Sequence, residues 1–132
     1  RWNQNAHPEL ELLHHCPNGG SRNKAEAVKL KQMGVKAGIP DLCLPVPMGM
    51  YNGLYIEMKY DTGRLEDSQK KMLKALAAHY CTVCYGAEEA IRVLQEYINL
   101  KKIDAGKRED TMSEQNLMIR KNGKVKCIIF KE

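Results

Sequence analysis

Gly38-Ile39-Pro40-Asp41-Leu42-Cys43-Leu44 and Leu54-Tyr55-Ile56-Glu57-Met58-Lys59-Tyr60 decide the fold of this chain. The first run, over 41–46, reads as a strand closed by Pro45 and Pro47, because proline has no N–H for a β-ladder. The second, over 54–60, reads as a clear strand between Asn52-Gly53 and Asp61-Thr62-Gly63. Together they predict a hairpin with a loop of several residues. Alternate side chains of a strand share a face. Tyr55, Glu57 and Lys59 therefore project to one side, and Ile56 and Met58 to the other, into the core. Hairpin pairing brings Asp41, at the start of the first strand, beside the end of the second. Two carboxylates and an ammonium converge at one end of a sheet.

Such a cluster suits a hard divalent cation. Mg²⁺ takes oxygen ligands in near-octahedral geometry and keeps several waters. Asp41 and Glu57 offer carboxylate oxygens, and the backbone carbonyl of Met58 offers another. Bound metal lowers the pKa of a coordinated water and offsets charge growing on a phosphoryl group. Lys59 would orient the attacking water and stabilise the charged transition state. Gln69, in the first turn of the following helix, adds a polar contact. A Glu-x-Lys triplet alone has many chance matches, and a Pro-Asp turn is common. The ordered combination on compatible elements carries the specificity.

Outward from this hairpin, the pattern alternates. A short element and the Asn18-Gly19-Gly20 turn precede a helix over 24–33, with Ala27, Val28 and Leu30 apolar and Gly34 suited to its end. After the hairpin, Met72, Leu73, Leu76, Ala77 and Tyr80 recur at helical spacing and predict a helix over 66–80. A strand over 81–85 follows, then a helix over 87–99 with Ala90, Ile91, Leu94, Tyr97 and Ile98 inward. Helix, hairpin, helix, strand, helix is an α/β order with a mixed sheet, in which 54–60 and 81–85 run parallel across the intervening helix. After Leu100 the chain turns charged and loses periodicity. Two apolar runs there flank Asn122-Gly123, a type I′ hairpin signal. An isolated hairpin is marginal in water, so it should dock on the domain, pair with another chain, or stay only partly ordered. The division expected is 1–100 for the domain and 101–132 for a basic extension with a hairpin.

The 132 residues carry a formal net charge of +5. Residues 1–100 hold 12 basic and 11 acidic side chains, and 101–132 hold 9 and 5, so most of the surplus lies in the tail. Locally, Arg22, Lys24, Lys29, Lys31 and Lys36 face a single acid, Glu26, and lead directly toward Asp41. A charge run is usually a solvated helix face; beside a phosphodiester site it also offers phosphate contacts. No apolar run approaches the ~18 residues of a membrane span, so no membrane partner is expected. Five cysteines at scattered spacing do not form a secreted disulfide framework. Cys81-Thr82-Val83-Cys84 sits in a strand rather than at a helix N-terminus, where a reactive thiolate is stabilised, and it lacks a second ligand pair for zinc. Core cysteines are the expectation. His14 and His15, being adjacent, point apart and are poor joint metal ligands.

The residues Pro40-Asp41 with Glu57-Met58-Lys59 resemble the signature of PD-(D/E)xK nucleases. The chain is more closely similar to the VRR-NUC branch, particularly its small stand-alone virus-type members. The resemblance rests on Pro17-Asn18-Gly19-Gly20 and on Lys31 to Leu42, with its Gly34, Ala37-Gly38 and Pro40-Asp41-Leu42. It rests also on Tyr51 to Lys59, on Gly63-Arg64-Leu65 with Gln69, and on 84–90. It covers roughly 2–100. It implies a restriction-endonuclease-like α/β/α core with a mixed sheet flanked by helices, the C-terminal β-hairpin being an extension. It implies Mg²⁺- or Mn²⁺-dependent hydrolysis of DNA, with Asp41 and Glu57 as ligands, Lys59 as the catalytic lysine and Gln69 as an accessory. A structure-selective endonuclease acting on branched or junction-like DNA follows, similar to Holliday-junction resolvases, as a homodimer in the cytoplasm of a bacterial or phage-infected cell. The resemblance also implies another acidic residue on a first helix ahead of Arg1-Trp2, so the 1–100 domain is expected to be clipped at its start. Glu9, Glu11 and Glu26 do not stand at that place. Asn18, Gly19, Arg22, Lys24, Lys29, Lys31 and Lys36 are the expected nucleic-acid contacts. The alternative is a catalytically weak or inactive DNA-binding module that retains the fold.

Overall fold

The structure is a computed structural model that describes residues 6–18, 23–76, 78–101 and 115–130. Six strands form one sheet in the order β1 (His14–His15), β2 (Leu42–Leu44), β3 (Leu54–Lys59), β4 (Tyr80–Tyr85), β5 (Gln115–Lys121) and β6 (Lys124–Phe130). β2 and β3 are antiparallel, as the hairpin predicts, with Cys43 opposite Tyr55. β3 and β4 are parallel, with Glu57 opposite Val83 and Lys59 opposite Tyr85. The sheet is mixed, and its central strands end together beside the Glu57–Lys59 segment.

Both faces are covered. Leu44, Leu54, Ile56 and Cys84 pack on one face against Ala90, Val93, Leu94 and Tyr97 of α3 (Ala87–Ile98) and against Leu10. Each such fully buried aliphatic side chain contributes about 1.5–3 kcal/mol. On the other face Cys81, Val83 and Leu117 pack against Leu73 of α2 (Asp67–Ala75), with Tyr55 and Leu65 at the margin. The result is an α/β/α sandwich. The alternation of β3 follows the sequence pattern: Ile56 faces α3, and Tyr55 faces α2.

Two local features differ from the sequence pattern, at α2 and α1, and a third, the C-terminal hairpin, takes one of the expected arrangements. α2 ends at Ala75, five residues short of Tyr80, which begins β4. Tyr80 packs on the α3 side, edge-on to Tyr51 at 4.9 Å. Helical spacing from Leu73 to Tyr80 was a coincidence between one helix and the strand after it. α1 (Lys24–Gln32) has no buried residue: Val28 is 56% exposed, and Ala27 and Leu30 are half-buried. Its N-terminus is capped by Asn23, whose Oδ1 accepts the Ala25 N–H at 2.9 Å. The C-terminal hairpin is docked, not free. β5 adds parallel to β4, and Leu117 is buried in the α2-side core. Asn122 and Gly123 both have positive φ, the backbone a type I′ turn requires. Arg120 is buried and donates to both Glu96 carboxylate oxygens and to the Tyr80 hydroxyl.

Candidate active site

The site lies where β3 leaves the sheet. Asp41 sits just before β2, and its carbonyl accepts the Cys16 N–H at 2.8 Å. Its side chain turns across to β3, where Oδ2 accepts the Met58 N–H at 2.8 Å. This bond fixes the carboxylate against β3, beside the Glu57 carboxyl. N–H and C=O of one residue point to the same side of a strand, so the Met58 carbonyl opens toward Asp41 as well.

Glu57 is 2% exposed, although it carries a carboxyl group. The first turn of α2 closes over it. Gln69 Nε2 donates to Glu57 Oε1 at 3.0 Å. Gln69 Oε1 accepts from Lys59 Nζ at 2.9 Å and from the Glu66 backbone N–H at 2.9 Å. Two donors on one side and a carboxylate on the other leave one amide orientation for Gln69. Lys59 Nζ also stands 3.8 Å from Glu57 Oε1. The second oxygen, Glu57 Oε2, is buried with no hydrogen-bond donor. Burial pushes the Glu57 carboxyl up to about 7; the Asp41 carboxylate pushes the same way, and Lys59 opposes it. With partners at one oxygen alone, this buried carboxylate is costly, and it lies against a second carboxyl group.

Gly38 makes the closure of α2 possible. Its φ is +81°, and a Cβ there would stand 2.3 Å from the Ser68 carbonyl oxygen and 3.0 Å from the Gln69 nitrogen. The Gly-Ile-Pro turn is thus packed directly on the α2 turn that carries Gln69. The close approach of Gly38 to a later helix has no local signal in the sequence. Asn18 lines the same cleft with Gly38, Ser68 and Gln69. Lys24, Lys29, Lys31 and Lys36 are all exposed. Gly19 and Arg22 lie outside the described residues.

The donor set fits a divalent cation. Asp41 and Glu57 are paired hard oxygens, and Glu57 Oε2 is a buried acceptor lacking a proton donor. Among the described residues, no group of three or more His, Cys, Asp or Glu forms a metal site. The Cys81 and Cys84 thiols are free, buried and on opposite faces of β4; burial pushes them up to about 12 and about 11. No described helix is long and apolar enough to cross a membrane.

A carboxylate pair and a lysine at the end of a central strand, in an α/β/α sandwich, define a domain with the PD-(D/E)xK nuclease-type fold. The model of the VRR-NUC domain matches residues 1–88, and the chain belongs to the VRR-NUC family. A solved structure named "VRR_NUC domain protein" is 38% identical, with a TM-score of 0.62 over 72% of this chain and 74% of that one. No curated protein matches the chain.

Proposed function

We propose that this protein is a Mg²⁺- or Mn²⁺-dependent endonuclease that hydrolyses DNA phosphodiester bonds at branched, junction-like structures and works as a homodimer. One observation carries this reading. Glu57 is buried beside Asp41, with one oxygen held by Gln69 and the other facing no donor. A buried carboxylate left in that state is unfavourable to the fold, and a bound cation relieves it.

When bound, a divalent cation would acidify a coordinated water and offset charge on the phosphoryl group. The chain's own residues do the rest. Asp41, Glu57 and the Met58 carbonyl would hold the cation in position. Burial and Asp41 raise the Glu57 carboxyl to about 7, so a cation held there would compete with a proton at neutral pH. Gln69 locks Glu57 and Lys59 in one geometry. Lys59 Nζ spends one donor on Gln69 and keeps others for the attacking water or a phosphoryl oxygen. Asn18, Gly19, Arg22, Lys24, Lys29, Lys31 and Lys36 would hold the DNA backbone beside this point. A two-fold dimer would present two such sites to the two strands of a symmetric junction.

The test is cleavage of branched and linear DNA with Mg²⁺ or Mn²⁺. Lys59→Ala and Asp41→Ala should each lower the rate about a hundredfold or more; cleavage that survives both removes these roles. A second reading rests on the ligand count among the described residues, where Asp41 and Glu57 stand as a pair. A DNA-binding module with little or no catalysis would bind DNA in a salt-sensitive way and show no calorimetric Mn²⁺ site that disappears in Glu57→Ala.

A further inference from the structure

The docked hairpin lies beyond residues 1–88, which the family match covers, and it changes the surface beside the site. Directly paired residues of adjacent strands share a face of the sheet. Lys59 pairs with Tyr85. The β4–β5 register sets Val83 opposite Ile119 and Cys84 opposite Arg120, which brings Tyr85 beside Lys121. The Lys121 Nζ lies over the Tyr85 ring, 4.6 Å from its centroid. Lys121 in turn pairs with Lys124, and Ile119 with Lys126. One row therefore crosses the sheet from the catalytic strand: Lys59, Tyr85, Lys121, Lys124, with Lys126 one row in. All are on the α2 face, which carries Glu57 and Gln69.

We propose that the β5–β6 hairpin is a phosphate-binding track for the substrate, with Lys121, Lys124 and Lys126 holding the DNA backbone as it leaves Lys59. This rests on the nuclease reading above. Strands are ~4.8 Å apart, so Lys59 to Lys124 spans about 14 Å. That is about four base-pair steps of rise, at 3.4 Å per step along the helix axis. The three hairpin lysines are exposed. Lys121 donates to the Asp61 carbonyl at 2.8 Å, which ties the hairpin to the turn after β3 and leaves further donors for phosphate. Between them, Tyr60, Asp61, Tyr85, Gly86, Lys121 and Asn122 line a cleft of about 360 Å³, with Asp61 its acidic member. Tyr60, directly after Lys59, is 70% exposed on the approach. Lysine on an edge strand also discourages edge pairing, but that role needs no particular face. Here the lysines share the active-site face, while Val125 and Cys127 alternate to the other. On the α3 side, Glu89 pairs with Arg92 and Glu96 with Arg120.

The experiment is DNA binding by the full chain in EDTA, followed by fluorescence anisotropy over a salt series. Each phosphate contact adds about 0.9 to the slope of log affinity against log salt. Replacing Lys121, Lys124 and Lys126 together by Gln should lower that slope by about two to three and weaken binding at 0.1 M salt by roughly two orders of magnitude. The matching triple Arg variant should keep the slope. If the Gln triple loses the native circular dichroism spectrum, Lys124→Gln with Lys126→Gln, which spares the Tyr85 contact, should lower the slope by about two. A slope within about half a unit of the unaltered chain overturns the track. So does a change in oligomeric state with DNA affinity kept, which would make β6 a pairing edge for a second copy. Absence of metal-dependent cleavage by the unaltered chain would count against the nuclease assignment alone, because the slope is read without cleavage.

Discussion

Glu57→Gln separates what the site does for chemistry from what it costs the fold. In the absence of divalent cation, burial and Asp41 hold the Glu57 proton up to about 7, against an ordinary 4.5. Between those two values the folded chain binds more protons than the unfolded chain. Stability from this group is therefore present below about 4.5 and is lost as pH rises through about 7. At about 1.4 kcal/mol per tenfold change in proton affinity, the full loss is about 3 kcal/mol. Glutamine keeps the shape and carries no charge, so its variant should escape that loss. Its amide can also donate toward Asp41, where Glu57 Oε2 has no donor. The assay is urea unfolding of both proteins in EDTA, from about pH 4.5 to about pH 8.5. The variant should gain on the parent across that window by about 3 kcal/mol and hold the difference above it. Titrating groups remote from Glu57 are common to both chains and cancel. Adding Mn²⁺ should stabilise the parent, by about 2.7 kcal/mol at a hundred times its Kd, and leave the variant nearly unmoved. A pH-independent difference between the two proteins would refute the argument that Glu57 is desolvated beside Asp41.

Gly38→Ala should cost about 2–4 kcal/mol, from left-handed backbone strain and the 2.3 Å approach to Ser68, and should lower cleavage by displacing Gln69; denaturant midpoints unchanged within error would contradict this. Glu96→Ala leaves the buried Arg120 guanidinium without its carboxylate, and unfolding should show a loss of about 2 kcal/mol. Arg120→Met, which removes the charge, should cost less than Glu96→Ala. A thiol reagent near pH 8 should label exposed Cys127 first, whereas Cys81 and Cys84, buried and pushed up to about 12 and about 11, should react only on opening; labelling of all three at one rate would sink that order.

Much of this site is local in sequence. The period of two along 54–60 places Glu57 and Lys59 on one face, whatever the strand pairs with. Asn122-Gly123 sets a type I′ turn because few other dipeptides adopt two positive φ values. Gln69 falls in the first turn of α2 by its distance from Asp61-Thr62-Gly63. These features come from backbone sterics within a few residues. The helix end was not local. Leu73, Leu76 and Tyr80 fit one helical stripe, yet Tyr80 gains more as the first residue of β4, packed beside Tyr51 and Tyr97. Strand pairing is a long-range interaction that periodicity does not record.

Sequence by itself determined the hairpin, the shared face of Glu57 and Lys59, and the order of elements, because these follow from alternation, turn chemistry and sterics along the chain. Only the tertiary structure decided that α2 closes over Glu57 and leaves one oxygen without a donor. It alone set Gly38 against Ser68, and it alone docked the C-terminal hairpin so that its lysines extend the line of Lys59. Those outcomes depend on which segments pack together, and burial, desolvation and cross-strand register exist only once they do.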